Sequence, residues 1–220
     1  MAQHPRIILL GLPGSGKGTQ GALIAQTWRV PTFSSGEYFR NLRREGKLPV
    51  EVAAKINAGG LVSDEDVNMI IVESFLSTQE AQAGFVLDGY PRTVAQAAFL
   101  DEYLTKQNLS LTAAVYVDLP VETAFRRISG RRVCPSDGSV YNVYYSQPER
   151  EGLCNLCGAP LIQREDDREE SVKTRMSTYE AVTKTLIVYY GDQGKLITVD
   201  GASDPGAVFA RIQGVLDDPA

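Results

Sequence analysis

The chain has 220 residues, 43% of them hydrophobic, and carries 22 Lys and Arg against 27 Asp and Glu, a formal net charge of −5. That length and apolar content supply one sizeable core with a smaller appended piece. The acidic balance argues against non-specific binding to nucleic acid or anionic membrane, which needs a basic surface, and with no apolar run approaching a membrane span a soluble cytoplasmic protein is expected. Small phosphorylated ligands stay open, because a local cluster of arginines attracts them within an acidic whole.

Strand-like and helix-like segments alternate from the start. Ile7–Leu10 is an uninterrupted apolar run ending in a glycine-rich turn, and Arg6–Leu10 reads as a buried strand. Gly11-Leu12-Pro13-Gly14-Ser15-Gly16-Lys17-Gly18-Thr19 follows it and opens a helix over Lys17–Trp28, the context in which such a loop binds phosphate. Its glycines let successive backbone N–H groups turn into one concavity, the helix dipole adds positive potential, and Lys17 is placed to reach the β- and γ-phosphates. A ligand-free Gly/Pro turn is the alternative reading. The residue after the lysine is Gly18, and the hydroxyl comes one place later at Thr19.

A short strand is expected at 30–34, then helices at 36–44 and 50–58. Ser63 and Asp66 have capping-box spacing, which starts a helix running to about 79. Residues 85–87 read as a third strand ending at Asp88-Gly89, 93–106 as a helix, 113–119 as a continuous apolar strand and Val121–Ser129 as a helix. Residues 130–167 break the rhythm, being rich in Gly, Pro, Tyr, Asn and Ser and holding every cysteine. A long amphipathic helix at 169–190, a strand at 196–199 and a terminal helix opened by Pro205 complete the chain. This alternation implies an α/β fold, a parallel sheet of about five strands covered on both faces, with 130–167 as a small β-rich insertion. Ligand sites in such sheets lie at the carboxyl ends of the strands. Gly11, Ser35, Asp88 and Gly130 fall at or just beyond such ends, or beyond the helix that follows one.

Three cysteines cannot all pair, and Cys154 and Cys157 stand close together in a loop-like segment, which suits reduced thiols or metal ligation. Cys134-x-x-Asp137 and Cys154-x-x-Cys157 form two knuckle-like pairs at zinc-ribbon spacing, each followed by a glycine, Gly138 or Gly158. Four protein donors close the coordination, so the expected role is structural. A segment held by hydrogen bonds alone is the alternative. A zinc-ribbon nucleic-acid module is disfavoured by the acidic run at 165–167 and by Glu169 and Glu170.

The motifs taken together resemble the adenylate kinases over essentially the whole chain. The loop at 11–19 has the GxPGxGKGT form typical of nucleoside-monophosphate kinases. Ser34-Ser35-Gly36-Glu37-Tyr38-Phe39-Arg40 is similar to the family's STGDxxR, and Phe85-Val86-Leu87-Asp88-Gly89-Tyr90-Pro91-Arg92-Thr93 to its LDGFPRT, with Gln96 four residues after the arginine. Arg127-Ile128-Ser129-Gly130-Arg131-Arg132-Val133 is similar to RIxGRR, and Arg164-Glu165-Asp166-Asp167 with Arg175 to RxDDxxExVxxR. The resemblance implies a P-loop three-layer sandwich with a core of residues 1–33, 64–129 and 168–220, an AMP-binding helical domain at 34–63 and a β-rich lid at 130–167. It implies reversible phosphoryl transfer from MgATP to AMP, giving two ADP.

By the same resemblance Gly14, Ser15, Gly16, Lys17, Gly18, Thr19, Arg127, Arg131, Val140, Tyr141 and Ser203 bind ATP. Ser35, Arg40, Gly60, Leu61, Val62, Gly89, Arg92, Gln96, Arg164 and Arg175 bind AMP. The catalytic set is Lys17, Asp88, Arg92, Arg127, Arg131, Arg164 and Arg175. Mg²⁺ comes with ATP and is oriented by Asp88 through water. Zn²⁺ is held by Cys134, Asp137, Cys154 and Cys157, although in the three-cysteine form of this lid the aspartate is expected last, not second. The partners are ATP, AMP and ADP, with no nucleic acid and no membrane, and a monomer is expected.

Elementary chemistry agrees with this. Phosphoryl transfer asks a protein for in-line positioning and charge neutralisation, and converging arginines supply both through bidentate, permanently charged forks. Arg127 and Arg131 are one helical turn apart, so one face is expected to present both, whereas Arg43, Arg44 and Arg150 are expected on solvated surface. Ser35 replaces the family's threonine, Glu37 its aspartate, and Asn142 the histidine of many bacterial relatives, which leaves adenine stacking at that position open. UMP/CMP kinases usually have a shorter lid, and the cysteine cluster favours the ATP-using form over a GTP:AMP phosphotransferase. A nucleotide sensor without turnover and a zinc-dependent interaction protein are the readings outside the kinases.

Overall fold

The computed structural model describes residues 4–217. In chain order its strands are β1 (Arg6–Leu10), β2 (Thr32–Ser34), β3 (Phe85–Asp88), β4 (Ala113–Asp118), β5 (Arg131–Val133), β6 (Val140–Asn142) and β7 (Leu196–Asp200). The helices are α1 (Lys17–Trp28), α2 (Ser35–Arg44), α3 (Val50–Asn57), α4 (Asp64–Ile71), α5 (Gln79–Ala83), α6 (Val94–Lys106), α7 (Val121–Ser129), α8 (Glu169–Thr178), α9 (Thr185–Gly191) and α10 (Pro205–Asp217).

Five strands form one parallel sheet in the order β2-β3-β1-β4-β7. All five residues of β1 are buried, as its apolar run requires of a central strand; Ile7 pairs with Val86 on one side and with Ala113 on the other. Successive side chains point to opposite faces. Ile8 and Leu10 join Phe33, Leu87 and Ala114 beneath α4, α6 and α9, while Ile7 and Leu9 join Val86, Val115 and Val117 beneath α1 and α10. A third cluster, with Leu12, Ala124, Ile128, Val172 and Met176, packs α7 against α8 beside the glycine-rich loop. The expected three-layer α/β sandwich is therefore present.

Several boundaries differ from expectation for local reasons. The second strand starts at Thr32, not residue 30: Pro31 gives its carbonyl to the Val86 N–H at 2.9 Å but has no N–H for the ladder. The helix expected from 63 to 79 is not continuous. Ser63 caps α4, accepting the Asp66 N–H at 3.3 Å, but the chain widens to a π-helical turn at Val72–Leu76, and Thr78 then caps the separate α5. Asp66 accepts the Ser63 hydroxyl at 2.6 Å, where a capping box would send it to the backbone. The segment 169–190 likewise passes from α8 through a π-helical turn at Tyr179–Thr183 into α9. Pro205 does open α10, where Asp204 accepts the Gly206 and Ala207 N–H groups at 3.0 and 3.1 Å.

The insertion after α7 is a small hairpin unit. β5 and β6 are antiparallel, with Arg131 opposite Asn142, and Val133 bridges to Ile162 on the returning chain. Its buried cluster consists of Cys134, Tyr141 and Cys154 with Ala159 and Leu161 against them. That small cluster, with Val133 buried beside it, is a slight core, which makes a metal staple physically useful there.

Candidate active site

The glycine-rich loop joins β1 to α1 at the carboxyl edge of the sheet. Gly14 has φ +89°, and a Cβ there would stand 2.5 Å from the Ala124 carbonyl oxygen, so only glycine lets the loop lie on α7. Helix α1 has no side-chain cap and no acidic residue in its first turn, which leaves its N–H groups and dipole for an anion. Lys17 curls back over the loop and donates to the Gly11 and Leu12 carbonyls at 2.7 and 2.8 Å. Burial pushes its ammonium down to about 8, with Asp88 raising it and Arg92, Arg175 and Arg131 lowering it further. Asp88, last in β3, sits beside the same turn: a Cβ on Gly18 would lie 3.6 Å from its Oδ2.

A second set of groups lies one strand over. Ser35, buried at the start of α2, donates to the Gly89 carbonyl at 2.8 Å. Arg92 donates from Nε to that carbonyl at 2.9 Å and from Nη2 to Ser35 Oγ at 3.3 Å. Gln96 fixes this turn from α6: its Oε1 accepts the Arg92 N–H at 2.7 Å and its Nε2 donates to Asp64 at 2.8 Å. These residues line a pocket of about 100 Å³ together with Arg40, Gly60, Leu61, Val62 and Arg175.

The two sets open on one cleft of about 1000 Å³. Lys17, Arg40, Arg92, Arg127, Arg131, Arg164 and Arg175 all line it, against two carboxylates, Glu37 and Asp88. Arg131 is held bidentately by the fully buried Asp167, at 2.8 and 2.6 Å, and Arg175 reaches the same carboxylate at 3.4 Å and Asp166 at 3.3 Å. Burial opposes the Arg131 charge, but Asp167 more than compensates and its pKa is raised. Arg40 and Arg164 have no side-chain hydrogen bond or ion pair among the described residues. Burial, then neighbouring Arg131 and Arg40, push Arg164 down to about 10. Guanidinium groups stay protonated at such values, so crowded cations with few counter-charges describe a site built for a polyanion.

The adenylate kinase family model matches residues 9–195, most of the chain and all of these loops. The chain belongs to the adenylate kinase family. Among curated adenylate kinases, that of Clostridium acetobutylicum is 42% identical over 212 residues, covering 96% of this chain and 98% of the relative. That of Acetivibrio thermocellus is 45% identical over 197 residues, covering 89% and 90%, and that of Clostridium tetani is 41% identical over 211 residues, covering 96% and 97%. As an adenylate kinase the enzyme transfers a phosphoryl group between ATP and AMP, and the family implies Mg²⁺ with the ATP. No helix among the described residues is long and apolar enough to cross a membrane.

In the hairpin unit of this kinase the Cys134, Asp137, Cys154 and Cys157 ligand atoms lie within 4.8 Å of one another. Two matching turns present them: the Gly138 N–H meets the Cys134 carbonyl at 3.0 Å and the Gly158 N–H the Cys154 carbonyl at 2.9 Å. Cys134 and Cys157 sulfurs are 3.4 Å apart, and the Cys154 thiol is 3.1 Å from Asp137 Oδ2. Four donors of these types at this spacing fit tetrahedral zinc, with the aspartate second in its pair.

Some expected residues stand in other surroundings. Arg127 lies in the last turn of α7 while Arg131 is already in β5, so no single helix face presents them; both line the cleft. Tyr141 lines the cleft but is buried, and its hydroxyl accepts the Asn155 N–H at 2.8 Å and lies 3.5 Å from Cys154 Sγ. Val140 and Ser203 do line the cleft, as do Gly14, Ser15, Gly16, Gly18 and Thr19. Arg43 is exposed, as expected of surface, and there it bonds Asn57 Oδ1 at 2.7 Å and pairs with Glu165 at 3.5 Å. Sequence reading assigned no role to Asp167, whose partner Arg131 is 36 residues away, a separation that leaves no local signal.

Proposed function

We propose that ATP lies along the glycine-rich loop, Gly14 to Thr19, under Arg127, Arg131, Val140, Tyr141 and Ser203, and that AMP fills the smaller pocket. In this reading Ser35, Arg40, Gly60, Leu61, Val62, Gly89, Arg92 and Gln96 hold AMP, and Arg164 and Arg175 stand between the two phosphate chains. Residues 1–33, 64–129 and 168–220 act as the core, 34–63 as the AMP-binding domain and 130–167 as a lid. The observation that carries it is the convergence of seven cationic side chains on one cleft, of which only Arg131 and Arg175 pair with a carboxylate among the described residues.

An AMP phosphate oxygen attacks the γ-phosphorus, forming one O–P bond as the β–γ bridging O–P bond breaks. The nucleophile is already anionic, so no general base is required. Lys17 exchanges its loop carbonyls for β- and γ-oxygens. Arg92 and Arg40 orient the AMP phosphate, and Arg131, Arg164 and Arg175 take up charge on the transferring group; each such donor is worth about 2.7–4 kcal/mol in the transition state. Asp88 would orient the Mg²⁺ that accompanies ATP, and the metal would supply charge neutralisation at the phosphates. Zn²⁺ at Cys134, Asp137, Cys154 and Cys157 is structural. Free thiols suit a reducing, cytoplasmic setting, and segments that swing on a core suit a monomer. A coupled assay across AMP, CMP, UMP and GMP tests the assignment: turnover with AMP well above the others is expected, and none with AMP overturns it.

A further inference from the structure

Two side-chain amides at the base of the hairpin unit take no part in the chemistry above, and both end on the last carbonyls of α7. Asn142 donates from Nδ2 to the Arg127 carbonyl at 2.7 Å, while its Oδ1 accepts the Tyr144 N–H at 2.9 Å. Gln163 donates from Nε2 to the Ser129 carbonyl at 2.9 Å and to the Asp167 carbonyl at 3.0 Å. Carbonyls in the last turn of a helix have no partner within it and carry the negative end of its dipole. Asn142 is a neutral donor to the Arg127 carbonyl, whereas Gln163 shares the Ser129 carbonyl with the Arg132 guanidinium, which donates to it at 3.2 Å.

The placement of these two amides is specific. One stands on each chain at the base of the unit: Asn142 ends β6, directly opposite Arg131, and Gln163 follows Ile162, which bridges to Val133. Each is next to a cleft arginine, Arg131 across the ladder in one case and Arg164 along the chain in the other. The Val143 N–H meets the Gly130 carbonyl at 3.0 Å and closes the same junction. We propose that Asn142 and Gln163 are positioning residues that clamp the base of the lid to the end of α7, and so set where Arg131 and Arg164 stand over ATP. The proposal rests on the reading of 130–167 as a lid.

Asn142 lines the cleft, so its loss alone would mix clamping with direct nucleotide contact; Gln163 stands outside that lining and separates the two. The test uses the full chain as wild type, Asn142→Ala and Gln163→Ala. It reads KM for ATP and for AMP separately, the melting temperature, and amide exchange in the hairpin. Each variant is expected to raise KM for ATP by about 3- to 10-fold, the scale of one or two neutral hydrogen bonds, with KM for AMP within about twofold and faster exchange at Val143. An unchanged KM for ATP in Gln163→Ala overturns the clamp, as does an equal rise for both nucleotides with a fallen melting temperature. If Asn142→Ala does not fold, Gln163→Ala decides alone. A wild type whose hairpin amides gain no protection from ATP overturns the lid reading and the clamp with it, whereas protection in the wild type with unaltered variants overturns the clamp only.

Discussion

Asp167 is fully buried and holds two of the cleft's arginines, with Arg131 bidentate at 2.8 and 2.6 Å. Removing its charge while keeping its volume leaves Arg131 without its paired carboxylate and Arg175 with Asp166 alone. Breaking one side of a buried pair costs about 3–5 kcal/mol, and the lower end applies because the Arg131 side chain is 24% exposed. Asp167→Asn should therefore lower the melting temperature by about 6–12 °C and depress turnover. A melting temperature that does not move would mean that solvent already screens the pair.

Lys17 gives the second prediction at this scale. Its ammonium is pushed down to about 8 by burial, so below that pH the folded protein bears the full cost of a desolvated charge, and the cost fades as pH rises towards the ordinary lysine value. The ligand-free enzyme should gain this increment of stability with rising pH. ATP reverses the sign: its phosphates favour the charged form, so binding takes up a proton above about pH 8 and affinity falls as pH climbs through that value. Calorimetric titrations with ATP between pH 7 and 9, in buffers of different ionisation enthalpy, should show the uptake in wild type. In Lys17→Met the uptake should vanish; if it persists, another group is responsible.

At the scale of elements, zinc held as proposed by the two cysteine turns would stabilise a unit that has little else. Cys134, Tyr141 and Cys154 form its small buried cluster beside the buried Val133, and the remaining order comes from short strands and turns. Cys154→Ser, or a strong chelator, should lower zinc from about one per chain, speed amide exchange across 131–162 and lower the unfolding midpoint, while exchange in β1, β3 and β4 stays slow. Exchange that accelerates equally in sheet and hairpin would argue against a local staple. Both knuckles were legible in the sequence, because metal ligands must be close in sequence to make such turns. All five strands of the sheet were legible too, since buried parallel strands are continuous apolar runs. Their order was not: β1 lies between β3 and β4 through packing of Ile7 to Ile8 on two different helical layers, which no local pattern encodes. The π-helical turns at Val72–Leu76 and Tyr179–Thr183 were hidden for a similar reason, as an amphipathic stripe reads the same with or without one widened turn. The cleft arginines were legible as types and positions, whereas their counter-ions, Asp166 and Asp167, took their meaning only from partners brought in by the fold.

Across the whole molecule, the helical segment that carries α2 and α3 rests on the beginning of α8. Ser171 Oγ donates to the Asn57 carbonyl at 2.7 Å, and Arg43 reaches Glu165 at 3.5 Å. These contacts draw the smaller pocket to about 100 Å³, while the cleft beside the glycine-rich loop holds about 1000 Å³. A ligand that spans both must satisfy Arg40 and Arg164, the cleft cations whose side chains have no partner among the described residues, and must hold both flanking segments at once. Two adenosines joined through a chain of phosphates meet that description, and their single association avoids the second entropy cost that ATP and AMP incur separately. At one hundred times its Kd such a compound stabilises the fold by about 2.7 kcal/mol, roughly 5–11 °C for a chain of this size. At equal concentration it should raise the melting temperature more than ATP and AMP added together. Arg40→Ala should bring that shift down to the value for ATP alone, because the analogue would then be gripped at one end. A shift for the wild type no larger than with ATP would mean that the two pockets are never occupied by one continuous anion.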